Sequence, residues 1–260
     1  TKMLDVARLV WFDLKHELNP PVWIGLQWLT FGVQIFVYGA LISQLVKIPQ
    51  IPNYQEFYAV GFIVMMTFDV GSHSGREFVE AAHEGRLPYL LSLPISRSKL
   101  FLSIALKGGL ELALMLVVPF AIMLSLIGNL TIVSVAAAAA TLFCLGFGVA
   151  GLMLGLSFIA FKSSDLYSAI TTGLSALIIR FSTVLYPLVF LARASPGYDT
   201  VAKFSPLTYG ADLVHFFLGF DPSMLLNPTI AVAVLTALAV STLGLSMFLL
   251  QRLVEGVRSG

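Results

Sequence analysis

The sequence predicts an all-α polytopic membrane protein with six transmembrane helices, and three observations carry that prediction. Of its 260 residues, 58% are hydrophobic and only 11% are charged, whereas a soluble domain carries about 25% charged residues. The mean hydropathy is +0.91. The apolar residues are gathered into runs of the length that a bilayer-crossing helix needs, roughly 20 residues. A transmembrane barrel would instead show segments of about ten residues with alternating hydropathy, and the chain has no such pattern. A net charge of +1 and the lack of a basic cluster offer nothing to nucleic acid. The single cysteine, Cys144, lies in an apolar run, so no disulfide framework is built within the chain and a buried, inert thiol is expected.

The elements follow in order. Residues 1–20 form an amphipathic segment with Met3, Leu4, Ala7, Val10, Trp11, Leu14 and Leu18 on one helical face. Asp5, Arg8, Lys15 and His16 lie largely on the other face. That division suits a helix lying in the membrane interface, anchored by Trp11 and stopped by Asn19-Pro20-Pro21. A soluble helix packed on a partner is the alternative. The opening is not a short basic stretch followed by an apolar core, so no cleavable signal peptide is expected.

The six apolar runs are 22–46, 56–74, 100–127, 130–161, 166–191 and 228–250. Gly128-Asn129 makes the turn between the third and fourth, and Ser163-Ser164-Asp165 separates the fourth from the fifth. Residues 192–227 are too long for a simple turn. They contain PLTYGADLVHFFLGF, a short apolar helix ended by Gly219 and Asp221-Pro222 that lies on or re-enters the outer interface. With the N-terminus inside, eleven of the fifteen lysines and arginines fall on the inner side, three on the outer side and Arg180 within a span. The bias toward the inner side predicts that both termini are cytoplasmic.

Residues 75–99 then lie on the cytoplasmic side between the second and third spans. Within them EGRLPYLLSLPISRSK is apolar in the middle, interrupted by Pro88 and Pro94, and charged at both ends. It is too short to span and too apolar for a solvated loop. A short amphipathic helix that docks into another protein's groove fits both constraints.

In this order of elements the chain resembles the membrane subunits of type-2 ABC exporters, the ABC-2 permease family, whose members handle drugs, polysaccharides and lipids. The resemblance covers nearly the whole chain: the interfacial helix, six spans, the charged loop EGRLPYLLSLPISRSKLF and the external SPLTYGADLVHFF. The family phrase G-x-L-xx-LLSLP-[IV]-S-R is matched by Gly85, Leu87, Leu90, Leu91, Ser92, Leu93, Pro94, Ile95, Ser96 and Arg97. Pro88 departs from the pattern, standing where many relatives continue with an ordinary helix former. The resemblance implies that this segment is the coupling helix that touches an ATPase, with Glu84 and Arg86 flanking it. It also implies that ATP and Mg are bound by that separate ATPase subunit, and that two membrane subunits, identical or related, assemble. No G-x-x-x-x-G-K-[ST] phosphate cradle occurs in the chain, so it holds no nucleotide in that manner. It is not itself expected to be an enzyme.

Charged residues inside the spans are candidate functional positions. Burying Arg180 near the middle of the fifth span costs about 2.5–3.5 kcal/mol, which offsets much of that span's insertion energy. It should therefore face a protein interior or a wet cavity, as a gate or substrate contact or as a structural partner at an interface. Phe181, Tyr186 and Phe190 share the span, and Pro187 can kink it. Asp69, Lys107 and Glu111 are expected to form one polar cluster bracing the second and third spans, with proton relay as the sharper alternative. His73 sits in GSHSG, which superficially resembles a nucleophile elbow but has histidine where serine is needed. Gly151 and Gly155 form a G-x-x-x-G suited to close helix packing. Two other classes compete. A secondary transporter or channel would show inverted repeats, and an intramembrane hydrolase would show a metal motif or serine elbow; the sequence displays neither.

Overall fold

The computed structural model describes residues 10–11, 22–47, 51, 53–86, 96–128, 130–159, 163–190 and 197–258. Among the described residues the structure is helical and contains no strand. Helix α1 comprises Val22–Val33, a π-helical turn Gln34–Tyr38 and Gly39–Leu45. It is followed by α2 (Tyr54–His83), α3 (Arg97–Leu126), α4 (Ile132–Ile159) and α5 (Ser164–Arg180). The short α6 (Tyr198–Ala202) and α7 (Pro206–Phe217) precede the closing α8 (Pro228–Arg258).

Among the described residues four stretches are long and apolar enough to cross a membrane: Ile24–Leu45, Ser103–Leu126, Ile132–Phe158 and Pro228–Leu249. The chain is thus a helical membrane protein. On α1 and α8 large apolar side chains such as Leu29, Phe36, Leu45, Val240 and Phe248 are exposed, as lipid-facing surfaces require. Helix α2 is long enough to span but more polar, with Thr67, Asp69, Ser72, His73 and Ser74 in succession. Most of it is buried against α3, α4 and α5, and a helix shielded by protein need not match lipid.

The fifth run differs from the sequence expectation. A helix over 166–191 is predicted, yet α5 ends at Arg180 and residues 181–187 follow no regular helix. The cause is a set of competing partners. The Thr183 amide donates to Thr208 Oγ1 at 3.3 Å, and the Thr183 hydroxyl donates to Asp212 Oδ1 at 2.8 Å. The Ser182 hydroxyl turns back to the Ile179 carbonyl at 2.7 Å, and Pro187 has no amide proton to give a helix. Irregular backbone in a membrane protein is tolerated where protein covers it, and Ser182, Thr183, Val184 and Pro187 are all buried.

Helix α4 is the centre, packed on α2 along one side and α8 along the other. Its Gly148 and Gly151 carbonyls accept hydrogen bonds from the Thr242 hydroxyl at 2.9 Å and the Ser246 hydroxyl at 2.6 Å. The small-residue stripe of the fourth run thus serves packing within the chain. Replacing Thr242 with valine or Ser246 with alanine is expected to cost about 1 kcal/mol each, the usual worth of an interhelical hydrogen bond in a membrane protein. Thermal unfolding in detergent reads that loss, and unchanged midpoints for both variants would show that these bonds contribute nothing.

The start of α4 is closed by reciprocal bonds between Thr131 and Ser134, each hydroxyl accepting the other's amide at 3.1 Å, and α5 is capped by the Ser163 hydroxyl accepting from the Leu166 amide at 3.2 Å. Of the segment expected to form an N-terminal interfacial helix only Val10, buried, and Trp11, exposed, are described; the remainder lies outside the described residues.

Candidate functional site

At one end of the bundle α2 stops where Gly85 adopts a left-handed conformation with φ of 74°, a helix-ending conformation that glycine takes at little cost. Glu84, Gly85 and Arg86 are exposed there, with Arg86 Nε 2.6 Å from Glu84 Oε2. Leu87, Leu90, Leu91, Leu93 and Pro94 lie outside the described residues. The chain resumes at Ser96, and Arg97 opens α3. Just inside this end Lys107 Nζ of α3 lies 2.8 Å from Glu77 Oε2 of α2, and both side chains are partly buried.

Lys107, Glu111 and Asp69 were expected to share one cluster. Glu111 is buried at 7% exposure, Lys107 is tied to α2 through Glu77, and Asp69 lines a separate feature. That feature is a polar cleft of about 300 Å³ between α2 and α5. Asp69, Ser72, His73 and Arg76 form one wall, and hydroxyl-bearing residues from Tyr167 to Ser175 form the other. The spacing 69, 72, 73, 76 keeps the four side chains on one face of α2. The same stretch presents Gly71 and Gly75 to α4: a methyl group built at Gly71 would press on the Gly146 carbonyl at 3.1 Å, and one at Gly75 on the Met153 carbonyl at 2.5 Å. GSHSG is thus a G-x-x-x-G packing surface with a histidine turned to the cleft.

The two helices run antiparallel. Near one end the Tyr167 hydroxyl donates to the Ser72 carbonyl at 3.3 Å. At the other, the Val184 carbonyl lies directly against Gly61. Between these contacts Asp69 stands opposite the stretch around Thr172 and Ser175.

Arg180 ends α5 and is exposed, so its charge meets the negative end of the helix dipole. Its backbone carbonyl accepts from the Tyr198 hydroxyl at 2.7 Å. Phe181 packs on Tyr198 with ring centroids 5.5 Å apart, and Tyr186 stacks on Phe190 at 5.9 Å. Arg180 therefore stands at a helix terminus rather than in mid-helix.

A second polar site, which the sequence reading missed, lies in α7, within the segment read as external. Asp212 is buried and accepts from the Thr183 hydroxyl at 2.8 Å and the Leu226 amide at 2.9 Å. Burial pushes its carboxyl up to about 6 against the pull of those two donors. His215, one turn on, is fully buried, with Nδ1 2.7 Å from the Ala211 carbonyl and Nε2 3.2 Å from the Phe57 carbonyl. Its ring stacks on Phe57 with centroids 4.1 Å apart. Burial lowers its pKa to about 4, although both carbonyls favour the protonated ring. An aspartate and a histidine three residues apart in an otherwise apolar string were the available signal.

A scan against protein-family models finds no match for this chain, and a search of curated proteins finds no matching relative.

Proposed function

We propose that this chain is the transmembrane subunit of an ATP-driven exporter of the ABC-2 permease type, with six spans and both termini cytoplasmic. It works with a separate ATPase subunit and a second copy of itself or a related permease, and moves an amphipathic, lipid-like or drug-like cargo outward. The observation that carries this reading is the proline-bracketed apolar segment from Glu84 to Arg97, charged at both ends and set between two long helices.

A segment so placed is a handle. ATP and Mg close the partner ATPase, which presses on the handle and so on the ends of α2 and α3. The Lys107–Glu77 pair fastens those helices together near that end, so they respond as a unit. Helix α2 pivots where Gly71 and Gly75 touch α4, and it carries the 181–187 stretch through the contact at Gly61. Phe181 and Tyr186 lie in that stretch, Arg180 and Phe190 flank it, and the four line the outward path.

The test replaces Leu90, Leu91 and Leu93 together with glutamate and measures co-purification of the ATPase. Loss of an apolar anchor cluster weakens a docking interface by about 2 kcal/mol or more, so at least a tenfold drop in recovered ATPase is expected. Full recovery of the ATPase with unaltered transport would remove the assignment.

A further inference from the structure

The α2–α5 cleft holds more polar capacity than the protein uses. Asp69 and Thr172 are exposed at the cleft beside the half-buried Ser175, and among the described residues His73 Nδ1 is buried with no hydrogen-bond partner. A buried nitrogen left without a partner carries the full cost of its lost water, and His73 is one of the residues that line the cleft. The Arg76 Nε is held by Glu80 at 3.3 Å, while the other guanidinium N–H groups are additional donors.

The charges select a ligand. Asp69 and Arg76 stand two helical turns apart, about 10 Å along the axis of α2, with His73 between them. A purely anionic ligand meets Asp69 and a purely cationic one meets Arg76. An apolar ligand would leave the hydroxyls and His73 unsatisfied. A group carrying both an ammonium and a phosphate or carboxylate pairs with both ends at once. A volume of about 300 Å³ is at the small end for ligand pockets, which fits a headgroup or small metabolite and excludes a bulky glycan.

We propose that the cleft between α2 and α5 binds a zwitterionic headgroup, its ammonium on Asp69 and its anionic group on Arg76 and His73, with the hydroxyls of α5 closing around it. Such a group comes from an ethanolamine phospholipid or from a free amine phosphate in solution. The binding belongs to this chain alone and stands whether or not an ATPase drives transport.

The experiment uses the purified full chain in nanodiscs. Retention of dioleoylphosphatidylethanolamine is compared with that of dioleoylphosphatidylglycerol by native mass spectrometry, with O-phosphoethanolamine as a soluble competitor. Wild type is expected to prefer the ethanolamine lipid by about tenfold, the worth of one charge-assisted hydrogen bond. Asp69→Asn abolishes that preference, and Arg76→Gln weakens retention of both lipids. Displacement by O-phosphoethanolamine identifies a soluble source, and resistance to it identifies the bilayer. If Asp69→Asn does not fold, Thr172→Val on the opposite wall serves the same purpose with a smaller expected loss. Equal retention of the two lipids by wild type, or unchanged preference in the cleft variants, overturns the proposal.

Discussion

Gly61→Ala is expected to cost about 3 kcal/mol or more, the upper range for overpacking a filled interior. The added methyl collides with the Val184 carbonyl oxygen, and a backbone atom cannot rotate out of the way as a side-chain tip can. The 181–187 stretch is itself fixed by Thr183, whose amide and hydroxyl bind Thr208 and Asp212, so displacing it strains α7 as well. Gly173→Ala is the matched control. Nothing lies within 4 Å of a methyl placed there, and alanine is the better helix former by up to about 1 kcal/mol. Thermal unfolding in detergent should therefore show a large fall for the first variant and none for the second. Equal midpoints would mean that the unwound stretch does not rest on α2.

Asp212 and His215 are expected to impose opposite pH slopes that nearly cancel. The Asp212 pKa is raised from 3.8 to about 6, so the folded state holds its proton longer. Its contribution favours folding at low pH and is lost as pH rises between those values. The His215 pKa is lowered from 6.5 to about 4, so the unfolded state takes the proton first, and stability is lost as pH falls through that window. Each displacement is worth about 3 kcal/mol. Wild type should be nearly level between these limits. His215→Gln should expose the aspartate, with stability falling as pH rises from 4 to 6. Asp212→Asn should expose the histidine, with stability falling as pH drops from 6.5 to 4. Melting temperatures measured across that range decide it: slopes of the same sign in the two variants would show that these groups do not set the pH response.

The helices most legible in the sequence are those whose surroundings are uniform. Lipid on one side and apolar neighbours on the other select the unbroken runs of α1, α3, α4 and α8, and each was expected close to where it lies. The fifth run was read too far because residues 181–191 are as apolar as a helix needs. What breaks it is tertiary, since Thr183 finds Asp212 twenty-nine residues away, a pairing that no local pattern announces. Lys107 shows the same limit. Its spacing to Glu111 puts both on one helix face, and that local rule says nothing of Glu77, thirty residues back on α2, whose carboxylate lies against it.

Asp69 was legible as a costly intramembrane charge, but the hydroxyls that face it became visible only when α5 was laid antiparallel on α2. His73 was visible in a string that only superficially resembles a nucleophile elbow, and the glycines around it serve packing. Asp212 and His215 could have been found by applying to residues 206–217 the argument that singled out Arg180.

The bond between α4 and α8 gives the molecule an internal ruler. Thr242 and Ser246 fasten the two helices at successive turns, so spin labels at exposed Ile132 and Val240 report a separation that should hold constant. Distances from either label to α2 or α5 then become readings against a fixed scale, and displacement of those helices can be separated from tumbling of the whole molecule.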